Sequence, residues 1–246
     1  MGQVTVRFLG SGDAFGSGGR LQTCILVDAP YTTFLMDCGA SSLVAMKRLG
    51  VDPRRIDVIF VTHLHGDHFG GLPFFILDGQ FSHRTDPLMI AGPPGLKERV
   101  QDAMEVLFPG SSRTDQRFTM TFVELPAGRT TDLGSVSAAP FEVGHASGAP
   151  AYALRATCDG KVVAYSGDTE WTDSLVETAR GADLFICEAY FFDKKIKYHL
   201  DYGTLARHRG ELTCRRLVII HMSADMLGRL SEVDADFAED GMEIIL

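Results

Sequence analysis

The sequence predicts an α/β protein in which two β-sheets pack face to face with helices outside, and three observations carry that prediction. Apolar runs rich in β-branched residues alternate with segments of helical spacing in both halves of the chain, an interleaving suited to stacked sheets with covering helices. Metal-type ligands are scattered from His63 to His221 without a Pro-, Ser- or charge-rich linker between them, so residues 1–246 are expected to form a single domain around one site. A basic pair, a buried strand and a histidine follow one another twice, in RRIDVIFVTH ending at His63 and in CRRLVIIH ending at His221. That echo suits two similar halves presenting ligands at a shared rim.

Taken in order, VTVRFLG reads as a first strand and GSGDAFGSGG as a loop at the edge of a site, with backbone N–H groups available to an anion. The loop lacks the GK and following Ser or Thr of a P-loop, and Phe15 stands where a dinucleotide fingerprint needs its third glycine. CILVDA and TTFLMDC form a hairpin around Pro30. SSLVAMKRLG is a helix with Ser41 or Ser42 as its cap and Gly50 as its stop. DVIFV is a buried strand, and GGLPFFILDGQF a short helix with Pro73 in its first turn. DPLMIAG is another strand, followed by the amphipathic GLKERVQDAMEVLF, whose Leu96, Val100, Met104 and Leu107 are expected to face the core. FTMTFVEL, VSAAPFEVGH, AYALRATC and KVVAYSGD read as strands, the last two joined by a tight turn at Asp159-Gly160. SLVETARGA is a helix, and DLFICEA and RLVIIH are buried strands.

Bulk properties narrow the class of protein. The chain has 246 residues, 45% of them hydrophobic, and a formal charge of -9, which disfavours nonspecific attraction to nucleic acid. No apolar run approaches the roughly 20 residues of a membrane span, and the start lacks a basic leader region, so a cytoplasmic protein with no membrane partner is expected. The five cysteines are widely spaced and never form a CxxC pair, so reduced thiols are the expectation.

The chemistry centres on VTHLHGDH, where His63, His65, Asp67 and His68 fall within six positions after a buried strand. If the chain stays extended through His65, its two-residue period points His63 and His65 the same way. Gly66 then permits a sharp turn, and Asp67 opens the next element as a helix-starting residue. This motif resembles the HxHxDH signature of the metallo-β-lactamase superfamily, in particular its ribonuclease Z and phosphodiesterase branch. Later landmarks follow in order, with His145 in FEVGHASG, Asp168 in YSGDT and His221 in VIIHMS. The resemblance covers nearly the whole chain and implies an αββα sandwich.

It also implies that His63, His65 and His145 hold one metal ion, that Asp67, His68 and His221 hold a second, and that Asp168 bridges them. Five imidazoles and two carboxylates suit zinc, with manganese or iron as alternatives. Two divalent ions against Asp67, Asp168 and a bridging hydroxide leave a charge of about +1, whereas a single ion leaves about -1 and repels a phosphodiester. The hydroxide is the expected nucleophile, and Asp67 either orients it, accepts its proton or acts as a ligand alone. His199 in KYHLDYGT takes the place of the catalytic histidine that ribonuclease Z-like enzymes carry between their HEAT motif and the last ligand. Here that motif reads ICEA, with Cys187 in place of its histidine and Glu188 as the group that orients His199. His83 and His208, each beside arginines, read as surface groups.

The expected function is that of a dinuclear hydrolase acting on small phosphodiesters or cyclic nucleotides. Alternatives are a lactone, ester or aryl sulfate hydrolase, a ribonuclease Z-type endonuclease, and a noncatalytic metal-bound binding module. The expected partner is a small anionic ester. tRNA is not, because ribonuclease Z grips it with a long Gly-rich basic arm between the third-histidine region and the GDT aspartate, where this chain has a tight hairpin. A homodimer is the remaining source of a basic face.

Overall fold

Strands β1 (Thr5–Gly10), β2 (Cys24–Ala29), β3 (Thr32–Met36), β4 (Val58–Phe60), β5 (Leu88–Gly92) and β6 (Met120–Glu124) run in sequence order through the first sheet. They are seen in a computed structural model that describes residues 2–246. The second sheet contains β7 (Thr131–Asp132), β8 (Ser137–Val143), β9 (Ala151–Cys158), β10 (Lys161–Tyr165), β11 (Leu184–Glu188), β12 (Leu217–Ile220) and β13 (Asp236–Phe237). The final strand, β14 (Glu243–Ile245), returns to the first sheet and pairs antiparallel with β1, so each sheet has seven strands. Both sheets are mixed. Strands β3 to β6 and β10 to β13 run parallel, and the remaining neighbours are antiparallel.

The β2–β3 hairpin turns at Pro30, as expected from its sequence, and the β9–β10 turn holds Asp159 and Gly160 at φ 48° and 74°. Those left-handed values are what a two-residue hairpin loop requires.

Between the sheets lies an apolar core in which Phe8, Phe34, Met36 and Phe60 of the first sheet meet Tyr152, Leu154, Tyr165, Ile186 and Ile220 of the second. Burial of each such side chain is worth about 1.5–3 kcal/mol. Strands such as β3 are buried along their whole length, because helices cover the opposite faces. Helices α1 (Ser42–Arg48), α2 (Gly66–Phe69), α3 (Leu72–Phe81) and α4 (Leu96–Leu107) pack on the first sheet through Ala45, Met46, Phe69, Leu72, Phe75, Val100 and Met104. Helices α5 (Ser174–Ala179), α6 (Tyr202–His208) and α7 (Ala224–Leu227) cover the second through Leu175, Leu205 and Met226. The layering is therefore αββα. Among the described residues, no helix is long and apolar enough to cross a membrane.

Two local expectations are corrected. Leu107 does not face the core: it is 47% exposed in the last turn of α4, where Phe108 packs edge-on against Phe74 instead. Strand β4 ends at Phe60, so His63 and His65 lie beyond it on a segment that bends from Thr62 onward, although His65 itself returns to extended backbone. There Val61 N–H still donates to the Ala91 carbonyl, but Thr62 N–H turns to the Asp37 carboxylate.

Parallel strands align the carboxyl ends of β4, β10, β11 and β12 along one rim, the usual place for a site in an α/β sheet. Glu188 is the last residue of β11, the segments leaving β4, β10 and β12 carry His63, Asp168 and His221, and the segment after β8 adds His145.

Candidate metal centre

The segment after β4 places four ligand-type side chains within one turn. His65 keeps extended backbone and caps α2, and its carbonyl accepts from the N–H groups of His68 and Phe69. Asp67 is therefore inside the first helical turn and is not its cap, which turns its carboxylate toward His68 and His221. His63, Asp67, His68, Asp168 and His221 are buried, while His65 and His145 are half-buried at the mouth.

The seven predicted residues converge in two clusters. One donor atom each from His63, His65 and His145 lie within 4.8 Å of one another, as do those of Asp67, His68, Asp168 and His221. Asp168 lies between the clusters: its Oδ2 is 3.8 Å from His63 Nε2 and 3.3 Å from His68 Nε2, and its Oδ1 is 3.5 Å from His221 Nε2.

These residues fit a pair of cations on physical grounds. His63 Nε2, His68 Nε2 and Asp168 Oδ1 are buried without a hydrogen-bond partner, and each such orphan costs about 1–3 kcal/mol. A cation held in each cluster would supply the missing partners. Burial, reinforced by His68, pushes the His63 pKa well below the ordinary range, and burial also lowers that of His145. Both rings are thus neutral at pH 7, the form that offers a lone pair. Burial acts to raise the Asp67 pKa, but His68 and His221 outweigh it and keep the group a carboxylate.

The ring nitrogens facing away from the clusters are held in place. Asp37 Oδ2 accepts from His68 Nδ1 at 2.6 Å, and Asp37 also accepts from the Thr62 N–H and hydroxyl. The Thr62 hydroxyl, its proton committed to Asp37, accepts in turn from His63 Nδ1 at 3.0 Å. One buried carboxylate thereby fixes histidines of both clusters with Nε2 turned inward. Asp37 and Thr62 were not among the residues singled out from the sequence. The signal was an aspartate at the end of TFLM, a strand buried on both faces, where an unpaired charge would be costly.

Beside the clusters, His199 Nδ1 lies 3.0 Å from Glu188 Oε2 and 3.9 Å from Asp168 Oδ2. Glu188 is fully buried, and its other oxygen accepts from Thr169 N–H. Burial acts to lower the His199 pKa, but Glu188 and Asp168 outweigh it and push the group up to about 9. Cys187 packs in the outer core beneath α5 and α6, so the replacement of the HEAT histidine falls on the face of β11 away from the clusters.

The Gly-rich loop does border the site, since His221 N–H donates to the Ser11 carbonyl, and three of its amides meet carboxylates of the chain itself. Asp13 accepts from Phe15 and Ser17 N–H, and Asp240 accepts from Ser11 N–H. His83 is exposed beside Arg117, and His208 stacks on Trp171. Neither belongs to the clusters.

Comparison with known proteins places this geometry. Residues 4–241 match the family model described as anti-Pycsar protein Apyc1. The ribonuclease Z of Limosilactobacillus fermentum is 29% identical over an alignment that covers 92% of this chain and 90% of that protein. The crystal structure of human tRNase Z, short form, superposes with a TM-score of 0.79 at 26% identity, covering 98% of each chain. The metallo-β-lactamase fold protein YhfI of Bacillus subtilis superposes over 100% of both chains with a TM-score of 0.77 at 18% identity.

Proposed function

This chain belongs to the family of the anti-Pycsar protein Apyc1 and is a metal-dependent hydrolase of the metallo-β-lactamase fold, and from that premise we propose that it is a dinuclear phosphodiesterase acting on small phosphodiesters or cyclic nucleotides. The observation that carries the proposal is the convergence of seven donors in two clusters around Asp168. In this reading His63, His65 and His145 hold one ion, Asp67, His68 and His221 hold the other, and Asp168 serves both. Zinc suits the donor set, with manganese or iron as alternatives. When bound, such a pair supplies Lewis-acid polarisation of a phosphoryl oxygen and a water of lowered pKa.

The chain's own groups supply the rest. Glu188 holds His199 Nδ1 and keeps the ring protonated at neutral pH, leaving Nε2–H to protonate the departing alkoxide. That proton is lost only as pH rises through about 9. A cavity of about 410 Å³ borders His199 and is lined in part by Trp171, Lys195 and Lys197. Lys194 and Lys197 lie over the rings of Phe191 and Tyr198, and among the described residues neither forms an ion pair. Glu170 and Asp201 also line that cavity, so the attraction it offers an anionic substrate rests on how the lysine side chains reach over it.

His199→Ala is expected to leave metal content intact while slowing an alkyl phosphodiester by about 10²–10⁴-fold. A nitrophenyl diester, whose leaving group needs no proton, should lose far less. Equal losses for the two substrates would remove His199 from the acid role.

Substrate class is tested by turnover of the metal-loaded protein on phosphodiester, phosphomonoester, lactone and aryl sulfate panels, with a precursor tRNA in single turnover at near-physiological salt. Phosphodiesters should lead, and tRNA should be cleaved poorly. Between His145 and Asp168 the chain has the short link 146–150, β9, a two-residue turn, β10 and residues 166–167, which leaves no room for an RNA-gripping arm. The alignment with the Limosilactobacillus fermentum enzyme runs over 298 positions against a chain of 246, so that relative carries segments without a counterpart here. Efficient, site-specific tRNA maturation would favour the endonuclease reading, and faster lactone or sulfate ester hydrolysis the other ester reading.

A further inference from the structure

Tyr198 has φ 72°, in the left-handed region that glycine takes freely and a tyrosine rarely does. It is the third residue of the tight turn Ile196–His199, whose ends pair as an antiparallel bridge. That position commonly demands glycine when its φ is positive. A strained residue beside a functional site points to a role for the conformation itself.

The consequence of this backbone geometry is the direction of the Tyr198 carbonyl, which accepts from His145 Nδ1 at 2.8 Å. His145 lies on a loop beyond β8 and is half-buried, without the Asp37–Thr62 support that holds His63 and His68. With its proton committed at Nδ1, the ring presents a bare Nε2, and that atom lies 3.0 Å from His65 Nδ1 inside the first cluster. The Tyr198 ring stands edge-on to the His145 ring at 6.3 Å, and Lys197 Nζ lies 4.5 Å from its centroid. The next residue, His199, pairs with Glu188.

We propose that Tyr198 is a positioning residue whose left-handed backbone aims its carbonyl at His145, selecting the tautomer that serves the His63, His65 and His145 ion and tying that ligand to the turn that carries His199. The proposal rests on the assignment of those three histidines to one ion, but the hydrogen bond itself is testable without metal.

Long-range ¹H–¹⁵N correlation spectra of histidine-labelled protein, metal-free and zinc-loaded, report the tautomer directly, with His145 assigned by its loss in His145→Gln. Nδ1 of His145 should carry the proton in both states. Tyr198→Gly keeps the carbonyl and accepts the backbone angle, so tautomer and ion affinity should stay within about a few-fold of wild type. Tyr198→Pro forces φ to about -65° and turns the carbonyl away, so one of two ions should bind about 10–100-fold more weakly while the other is retained. A proton on Nε2 in the wild-type protein overturns the proposal, as does loss of an ion in Tyr198→Gly. A folded Tyr198→Pro that holds both ions as tightly as wild type does the same. Should Tyr198→Pro fail to fold, the wild-type and Tyr198→Gly spectra decide. A protein that binds no divalent ion but shows the Nδ1 proton would fail the metal reading and keep the hydrogen bond.

Discussion

Asp168→Ala is expected to be the most damaging single substitution at the site, lowering turnover by about 10³-fold or more and reducing the bound metal. Asp168 is 2% exposed and, among the described residues, is the one carboxylate within 4 Å of histidines from both clusters, namely His63, His68 and His221. Any single histidine serves one cluster, so its loss leaves the other complete. If Asp168 serves both ions as proposed, its removal would withdraw a negative charge from beside His63 as well as from the Asp67, His68 and His221 cluster, weakening the hold on both cations. Asp168→Asn separates charge from shape: it fills the same space, and its turnover should still fall far below that of the wild type. Metal content measured beside turnover decides the matter. Near wild-type activity in Asp168→Ala would show that the bridging assignment is wrong.

Asp37→Ala is expected to be the most destabilising, although Asp37 touches no proposed ion. Its carboxylate is fully buried and satisfies His68 Nδ1, the Thr62 amide and the Thr62 hydroxyl, and through Thr62 it also orients His63. Removing one partner of such a buried charged network costs about 3–5 kcal/mol. At about 2–4 °C per kcal/mol for a chain of this size, the melting temperature should fall by about 10 °C. Asp37 also sits at φ 62°, which asparagine tolerates better than alanine, so Asp37→Asn should lose clearly less. Thermal unfolding with and without chelator checks both variants. An unchanged melting temperature and metal content in Asp37→Ala would remove its role as the common support of His63 and His68.

The parts of the fold that were legible in the sequence are those written in local pattern. Buried strands, the amphipathic α4, the Pro30 hairpin and the Asp159-Gly160 turn each follow from residue type and spacing, and the αββα layering followed from their alternation together with the motif resemblance. The seven ligand-type residues were legible because imidazole and carboxylate at short spacing stand out against a hydrophobic strand, and the structure brings all seven together. Glu188 and His199, separated by ten intervening residues, also meet as expected.

What escaped the sequence depends on long-range contact or on a single backbone angle. Asp37 reaches His68 across 31 residues, and nothing in TFLMDC alone says which group its carboxylate meets. Tyr198 looks like any loop aromatic until its φ is known. The bend at Thr62 arises because a side chain, Asp37, outcompetes a strand neighbour for one amide, and strand periodicity cannot register that. The Gly-rich loop lies at the site edge as its sequence suggests, but the carboxylates of Asp13 and Asp240 take the N–H groups of Ser11, Phe15 and Ser17, which composition alone does not reveal. Leu107 has the correct helical phase but comes where α4 ends, and phase alone does not show where cover runs out.

The central claim is a pair of divalent ions acting together on a phosphodiester, and the number of ions per chain at saturation tests it most directly. Elemental analysis after reconstitution with zinc or manganese, read beside turnover of a small phosphodiester, should give close to two ions per chain, with hydrolysis abolished by chelation and restored by readdition. Saturation at one ion with full activity, or activity that survives complete removal of metal, would contradict the account.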